Sequence, residues 1–336
     1  MDSLRFAYRR YRLAFRQPVR TARTVWTERE GLIVRLENAD GRVGWGEAAP
    51  VPAFGMERME TLEAGARAWP NFDPSAVPTL ANAVASARAD LERGQAILPG
   101  SEGKADSALP VAALLPAGRA GVKAAADRAE AGFRTFKWKV GVEAWRDEMV
   151  LLDDLCAALP DGSKVRLDAN GAWDRRVAER WLERCADRPV EFLEQPVDWA
   201  SPGADDLLAG LAADYPTPIA LDESLVGLND LERWLGNGWE GVFVIKPSLL
   251  SDPNGALTRL AAAKRSVVFS SSLETAVGAR AALRHAFRWT GEPAALGFGV
   301  WPIFSERQFD GPAAAPFIRR SDVERMDIEP LWNALN

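Results

Sequence analysis

Histidine, cysteine and tyrosine are scarce in this 336-residue chain, which has one histidine (His285), two cysteines (Cys156 and Cys185) and three tyrosines. A single histidine excludes a metal site built from several imidazoles and disfavours a histidine-centred catalytic triad. Two cysteines are too few for a disulfide framework or a zinc finger, and they suit the reducing conditions of the cytoplasm. Acid–base chemistry would therefore depend on lysine, aspartate, glutamate or one of the few tyrosines.

Long apolar runs and an excess of basic charge are also absent. No apolar stretch approaches the ~18 residues typical of a membrane span, and the N-terminus has no apolar core of a secretory signal. The 41 basic and 47 acidic residues give a formal net charge of −6, which disfavours nucleic-acid binding. We expect a cytoplasmic protein, a monomer or weak homo-oligomer, with no membrane or nucleic-acid partner.

The first hundred residues predict an α+β unit. Three strands and two helices are predicted from the periodicity of apolar residues, at residues 4–15, 31–37 and 42–49 and at 58–69 and 80–95. The Ala39-Asp40-Gly41 turn predicts a hairpin between the last two strands. Residues 99–107 are rich in glycine, serine and charge, and they are a candidate domain linker.

From residue 110 onwards, short apolar runs alternate with amphipathic helical stretches. Eight strands are predicted, at 110–115, 135–140, 164–168, 190–194, 218–222, 242–246, 267–271 and 294–298. Seven helices fill the gaps, at 121–131, 144–158, 174–186, 204–214, 228–235, 256–264 and 275–287. This alternation favours a closed α/β structure, a (β/α)7β barrel or modified TIM barrel, over an open sheet. The tail from residue 305 is too irregular to be an eighth barrel helix.

Three consecutive strands of this barrel end in a carboxylate: Asp168, Glu194 and Asp222. Active sites of such barrels lie at the carboxyl ends of the strands, so these acids are expected to meet at one mouth. Any one of them alone would be interpreted as a helix N-cap. Three in register would repel each other unless a cation neutralised them, and ligation by oxygen alone suits Mg²⁺, with Mn²⁺ as an alternative.

Lysines flank these acids on both sides of the predicted mouth. Lys137 and Lys139 are two residues apart on one strand, so both point into the barrel, whereas Phe136 and Trp138 point towards the helices. We expect repulsion between the two ammonium groups to lower both pKa values and to prepare one lysine as a base. Lys246 ends an apolar strand on the opposite side of the barrel.

A divalent cation between opposed lysines suits one type of reaction. The cation binds a substrate carboxylate, a lysine removes the proton from the α carbon, and the cation stabilises the resulting enediolate. Enzymes of the enolase superfamily are known for this combination of lysine and Mg²⁺. The pattern therefore predicts an enzyme that acts on a small carboxylate.

Several longer motifs accompany these residues. They are GWGEAAP at 44–50, PAFG at 52–55, Lys137-x-Lys139, Arg166-x-Asp168-x-Asn170, Glu194, DES at 222–224, Ile245-Lys246-Pro247 and SSSxE at 270–274. With them, nearly the whole chain resembles the o-succinylbenzoate synthases of the enolase superfamily, in the muconate-lactonising subgroup. The metal ligands and lysines are shared across that subgroup, whereas the Ile245-Lys246-Pro247 and triple-serine motifs are more specific to the synthases.

The resemblance implies a domain arrangement and a reaction. It implies an N-terminal α+β capping domain at residues 1–104, which the tail at 303–336 completes, and a barrel domain at 105–302. The implied reaction is the Mg²⁺-dependent syn dehydration of 2-succinyl-6-hydroxy-2,4-cyclohexadiene-1-carboxylate to 2-succinylbenzoate, a step of menaquinone biosynthesis.

The resemblance also implies a role for each site residue. Lys139 would remove the α proton and return a proton to the departing hydroxyl, while Lys246 would stabilise the enediolate from the opposite face. Lys137 would tune Lys139, and Arg166 would lie behind that pair. The implied metal ligands are Asp168, Glu194 and Asp222. The implied substrate-binding residues are Asn170, Ser270, Ser271 and Ser272.

Two alternatives remain open. A dipeptide epimerase or N-acylamino acid racemase of the same superfamily would use the same lysines. Such epimerases carry an Asp-x-Asp motif after strand eight, where this chain has GFGVW at 297–301. A non-catalytic binding barrel would need another reason for acids and lysines to end adjacent strands.

Overall fold

The N-terminal part of the chain forms an antiparallel sheet covered by two helices. The computed structural model describes residues 4–20, 25–93 and 107–335. In chain order, the elements of this N-terminal unit are β1 (Arg5–Arg20), β2 (Val25–Glu37), β3 (Val43–Ala48), α1 (Met59–Arg67) and α2 (Pro78–Arg93). The strands pair in the order β1-β2-β3, with the predicted hairpin between β2 and β3. The two helices pack on one face of the sheet.

Two glycines of β3 allow α2 to approach the sheet closely. A Cβ at Gly44 would lie 2.0 Å from the carbonyl oxygen of Ala87, and a Cβ at Gly46 would lie 1.9 Å from that of Ala83. Both distances are far below van der Waals contact, so a side chain at either position would push the helix away. The glycines therefore set the spacing between the sheet and its helical layer.

The larger part of the chain forms a parallel sheet surrounded by helices, and it confirms the predicted modified TIM barrel. Strand β4 (Ala108–Pro110) precedes it. The barrel strands are β5 (Ala113–Leu115), β6 (Thr135–Lys139), β7 (Lys164–Asp168), β8 (Val190–Glu194), β9 (Ile219–Leu221), β10 (Val242–Ile245) and β11 (Val267–Phe269). They are ordered consecutively from β5 to β11. The helices are α3 (Arg119–Glu130), α4 (Trp145–Ala158), α5 (Arg175–Cys185), α6 (Ala204–Asp214), α7 (Leu228–Gly236), α8 (Pro253–Ala262) and α9 (Ala276–Ala286).

The eighth strand, expected at residues 294–298, is much shorter than predicted. Leu296 pairs with Val111 and Gly297 pairs with Ser270, both as single parallel bridges, so this segment closes the sheet between β11 and the start of β5. A Cβ at Gly297 would lie 2.6 Å from the hydroxyl oxygen of Ser270. The segment therefore lies parallel to its neighbours and close to Ser270, but it pairs with them over two residues only.

The C-terminal tail returns to the N-terminal sheet, on the face opposite α1 and α2. Phe304 pairs with Phe15 of β1, and their rings are stacked with centroids 5.6 Å apart. Further along, β12 (Phe317–Arg319) pairs antiparallel with β4, so the first barrel strand expected at 110–115 is divided. Helices α10 (Arg320–Glu324) and α11 (Glu329–Ala334) follow.

Buried charges also link the N-terminal unit to the barrel. Asp90 on α2 contacts Arg280 and Arg284 on α9, the second at 2.7 Å. Arg284 in turn lies 2.6 Å from Glu324 on α10. These ion pairs hold α2, α9 and α10 together at one point. Separating them would be costly, because breaking a largely buried ion pair leaves an uncompensated charge.

The division into domains at residues 1–104, 105–302 and 303–336 stays a prediction. The predicted end of the second helix at residue 95 and the predicted linker at 99–107, apart from Ser107, lie outside the described residues. Within residues 4–20, 25–93 and 107–335, no helix combines the length and apolar character needed to cross a membrane.

Gly46→Ala should destabilise the protein because its methyl group meets the backbone of α2. We expect the free energy of unfolding to fall by about 1–3 kcal/mol, as for other overpacked sites. Gly210→Ala is the matched control: Gly210 lies in α6 and a Cβ there has open space. This change should raise stability by about 0.5–1 kcal/mol. Urea unfolding of the two variants measures both effects, and equal stabilities would contradict the close approach of α2.

Candidate active site

A cavity of about 510 Å³ lies between the barrel mouth and the N-terminal unit. Its apolar wall comes from both parts, with Val19, Trp26, Val51, Phe54, Ala112, Leu114 and Leu115. Its polar lining includes most of the predicted site residues: Lys137, Lys139, Asp168, Asn170, Asp222, Lys246, Ser270, Ser271 and Ser272. A cavity that is apolar on one side and highly charged on the other suits an organic anion.

Two predicted site residues lie beneath the cavity rather than on its surface. Glu194, at the end of β8, is 2% exposed. Arg166 lies on β7, two residues before Asp168 and therefore on the same face of the strand but deeper in the barrel. Its Nε donates to Glu191 at 2.6 Å and its Nη1 donates to the carbonyl of Ala295 at 2.7 Å. Arg166 therefore supports the floor of the site from below.

Lys137 and Lys139 both line the cavity, as the alternation along β6 predicts, but their environments differ. The Nζ atom of Lys137 lies 2.7 Å from Glu194 and 2.9 Å from Asp168. Burial alone would lower the pKa of Lys137, but these two carboxylates outweigh it and raise that pKa. Burial lowers the pKa of Lys139, with a smaller contribution from the charge of Lys137. The expectation that both pKa values fall is therefore wrong for Lys137, because a carboxylate pair surrounds it.

Lys246 follows β10, which is the fourth strand along from β6 in the sheet, so it enters the cavity from the opposite side. Its Nζ contacts Asp222 and lies 5.9 Å from the ring centroid of Phe54. Burial lowers the pKa of Lys246 to about 8, although the charge of Glu194 acts in the other direction. The N-terminal unit thus contributes an aromatic face beside this lysine.

The acids at the mouth include one that the sequence reasoning did not single out. Glu223 lines the cavity next to Asp222, and its Oε1 accepts a hydrogen bond from Asn170 at 3.0 Å. Its buried Oε2 has no hydrogen-bond partner among the described residues. Burial, followed by the charges of Asp168 and Glu194, raises the pKa of Glu223 to about 7. The only sign of Glu223 in the sequence was its place in the DES motif at 222–224.

The turns that carry these acids have unusual backbone geometry. Asn170, Gln195 and Leu273 follow the ends of β7, β8 and β11 and have positive φ angles of 45°, 40° and 62°. Gln195 also ties two strand ends together, because its Oε1 accepts from the amides of Asp222 and Ser224 at 3.2 and 3.0 Å. Non-glycine residues in this conformation are uncommon and concentrate at functional sites. Sequence periodicity carries no signal for Gln195.

The buried carboxylates have the chemistry of a divalent-cation site. Their side chains do not point to a common centre: in the described part of the chain, no three aspartate, glutamate, histidine or cysteine side chains are grouped to hold a metal ion. Lys137 lies between Asp168 and Glu194, and Lys246 lies against Asp222. Oxygen donors on three adjacent strand ends fit a hard cation such as Mg²⁺, provided that the two ammonium groups move aside.

The chain is similar to known proteins over nearly all of its length. Residues 5–86 match the family model described as the MenC N-terminal domain, and residues 121–291 match the enolase C-terminal domain-like model. An o-succinylbenzoate synthase of Thermosynechococcus vestitus is 39% identical over 88% of this chain and 92% of that protein. An o-succinylbenzoate synthase of an Enterobacter species is 33% identical over 74% of this chain and 76% of its own length.

Solved structures give the same picture. An o-succinylbenzoate synthase from Thermosynechococcus elongatus, complexed with Mg in the active site, has a TM-score of 0.78 and 35% identity, covering 98% of this chain and 100% of that one. The L-Ala-D/L-Glu epimerase of Bacillus subtilis has a TM-score of 0.76 at 20% identity, covering 95% and 96% of the two chains. The second likeness is one of fold alone.

Lys137→Met should destabilise the protein, because it leaves Asp168 and Glu194 facing each other without their shared cation. We expect the free energy of unfolding in metal-free buffer to fall by about 3–5 kcal/mol, the cost of breaking a buried ion pair. Lys164→Met is the matched control, since Lys164 is largely exposed and 3.3 Å from Glu191. Its loss should be below about 1 kcal/mol. Urea unfolding compares the two, and similar losses would show that Lys137 does not hold the carboxylates together.

Proposed function

The chain belongs to the o-succinylbenzoate synthase family of the enolase superfamily, and from this premise we propose its reaction and the roles of its residues. The enzyme is a hydro-lyase of menaquinone biosynthesis. It converts 2-succinyl-6-hydroxy-2,4-cyclohexadiene-1-carboxylate to 2-succinylbenzoate by syn dehydration. The observation that carries the residue roles is that Lys139 and Lys246 enter one cavity from opposite sides, above a floor of buried carboxylates.

Lys139 is the base in this proposal. Its amine takes the proton from the carbon next to the ring carboxylate, so that the C–H bond breaks and its electron pair passes into the enediolate. The same group then gives a proton to the departing hydroxyl on that face, the C–O bond breaks, and water leaves. Burial favours the neutral amine that the first step needs.

Lys137 and Lys246 act by charge rather than as the base. The carboxylates of Asp168 and Glu194 keep Lys137 an ammonium group, so it places a fixed positive charge near Lys139. Lys246 faces the substrate from the opposite side and stabilises the negative charge of the enediolate. Arg166 holds the floor of the site from below, through Glu191 and the carbonyl of Ala295.

The proposed cofactor is Mg²⁺, with Mn²⁺ as the alternative, and Asp168, Glu194 and Asp222 would hold it. When bound, such a cation polarises the substrate carboxylate and neutralises the charge that develops during proton removal. Support comes from the donor set of the site, which consists of carboxylate oxygens. Support also comes from the related synthase that was solved with Mg in its active site.

The remainder of the cavity suits the rest of the substrate. Val19, Trp26 and Phe54 line its apolar wall, against which a cyclohexadiene ring and the methylene groups of a succinyl chain can pack. Asn170 and the serine turn at residues 270–272 lie at the polar side, where we propose that the substrate binds with its succinyl carboxylate towards the serine turn. Where the epimerases carry their Asp-x-Asp motif, this chain lines the cavity with Gly297, Gly299 and Val300. Residues 297–301, all within the described part of the chain, include no acidic side chain that could bind the ammonium group of a dipeptide.

The proposed setting is the cytoplasm, with the enzyme acting as a monomer or weak homo-oligomer on a small-molecule substrate. Both cysteines are free thiols, Cys185 buried and Cys156 partly so. Two unpaired thiols are compatible with a reducing compartment.

The purified enzyme should form 2-succinylbenzoate from the hydroxycyclohexadiene substrate in the presence of Mg²⁺, because the cation neutralises the developing enediolate. Excess chelator should remove the activity, and added Mg²⁺ or Mn²⁺ should restore it. Product formation is followed by absorbance, since dehydration makes the ring aromatic. Dipeptides and N-acylamino acids offered to the same preparation provide the comparison. An enzyme that epimerised them and left the hydroxycyclohexadiene unchanged would overturn the proposed function.

Lys139→Ala should lower kcat by roughly 10²–10⁴-fold, the usual contribution of a positioned general base. Thermal unfolding of the variant is measured alongside its activity, because Lys139 also interacts with the charge of Asp168 and its loss can affect stability. Lys123→Ala is the control, since Lys123 is exposed on α3, outside the cavity, and its variant should keep full activity. Dehydration at a near-normal rate by Lys139→Ala would rule out Lys139 as the base.

A further inference from the structure

A buried glutamate that is not one of the reacting groups accepts hydrogen bonds from two of the serines that line the cavity. Glu274 lies between β11 and α9 and is completely buried. Its Oε2 accepts three hydrogen bonds, from the hydroxyl of Ser271 at 3.0 Å, the amide of Ser272 at 2.5 Å and the hydroxyl of Ser272 at 2.9 Å. The turn after β11 is therefore folded around one carboxylate oxygen.

These contacts determine which serine protons can reach a substrate. The amides of all three serines are already used, since Ser270 donates to Ile245 at 2.8 Å, Ser271 donates to Gly297 at 3.1 Å and Ser272 donates to Glu274. A serine hydroxyl has one proton to donate. The hydroxyl protons of Ser271 and Ser272 point to Glu274. Towards any other neighbour, these two hydroxyls can act only as hydrogen-bond acceptors.

Ser270 differs from its two neighbours. Among the described residues, the hydrogen bond that its hydroxyl donates is a long one, 3.4 Å to the carbonyl of Gly297. A bond of that length is weak and easily exchanged for one to a carboxylate. Ser270 also lines the cavity. It is therefore the serine whose proton is available to an anionic ligand.

The residues that follow Glu274 are held by the N-terminal unit. Glu47 on β3 accepts hydrogen bonds from Tyr11 at 2.6 Å, from the amide of Thr275 at 3.0 Å and from the amide of Gly278 at 2.8 Å. These amides belong to the first turn of α9, where a carboxylate is favoured by the helix dipole. The start of α9 is thus fixed immediately next to Glu274.

We propose that Glu274 is a positioning residue that engages Ser271 and Ser272 and thereby leaves Ser270 as the serine hydroxyl that donates to the succinyl carboxylate. The proposal rests on the proposed function, since it assumes that this carboxylate binds at the polar side of the cavity. Glu274 does not touch the substrate, so its effect is on binding rather than on the chemical step.

Two substitutions of similar size separate the acceptor role of Glu274 from a packing role. Glu274→Leu removes the acceptor and should raise KM about tenfold, with kcat within threefold of wild type. Glu274→Gln keeps an acceptor oxygen and should restore KM to within threefold. Hydrogen exchange at the Ser272 amide should accelerate in Glu274→Leu and stay slow in Glu274→Gln. Equal KM values for wild type and Glu274→Leu would overturn the proposal.

Glu148→Leu is the matched control for burial. Glu148 is also completely buried, and it accepts from the amides of Gly141, Val142 and Glu143, in a turn that does not line the cavity. This variant should lose thermal stability as Glu274→Leu does but keep the wild-type KM. A KM increase in both variants would show that Glu274 acts through general stability alone.

The serines are tested separately, which keeps the proposal falsifiable even if Glu274→Leu fails to fold. Ser270→Ala should raise KM about tenfold and should have a larger effect than Ser271→Ala, because the Ser271 hydroxyl donates to Glu274. A larger effect at Ser271 would overturn the assignment. An inactive wild-type enzyme would instead overturn the proposed function, and the exchange of the Ser272 amide would still decide whether Glu274 holds the turn.

Discussion

Charge compensation inside the barrel mouth is the constraint on which the rest of this structure depends. Asp168, Glu194 and Asp222 are all less than 10% exposed. Burying a carboxylate without a partner costs several kcal/mol, so the fold needs cations in the same place. Lys137 and Lys246 supply these cations from opposite sides of the barrel mouth. The parallel barrel is suited to this because it brings many strand ends to a single point.

The cover over the mouth follows from the same constraint. Opposite charges attract strongly only where water is excluded, so a mouth open to solvent would weaken the attraction between the carboxylates and the lysines. The N-terminal unit closes it with Val19, Trp26 and Phe54. Its position is fixed by two carboxylates that reach α9, Glu47 at the start of the helix and Asp90 further along. The same helix follows the serine turn, so the cover and the polar side of the cavity share one support.

The sequence predicted what depends on local pattern. All seven barrel helices lie close to where their periodicity put them, and the predicted lysines line one cavity with Asp168 and Asp222. The failures concern contacts between distant residues. The eighth strand is reduced to single bridges at Leu296 and Gly297, and the pKa of Lys137 rises because Asp168 and Glu194 come from two other strands. Glu223 and Gln195 were missed because their importance lies in partners that spacing along the chain does not reveal.

Identical residues in one short motif can have unlike chemistry, and this chain contains two instances. Lys137 and Lys139 share a strand face, yet one is held as an ammonium by two carboxylates while burial favours the neutral form of the other. The three serines after β11 are equivalent in sequence, yet Glu274 accepts hydrogen bonds from the hydroxyls of only two of them. In both cases a buried carboxylate from outside the motif makes the distinction. Assigning roles in such a site therefore requires the partners of each acid, because a motif specifies only which groups are present.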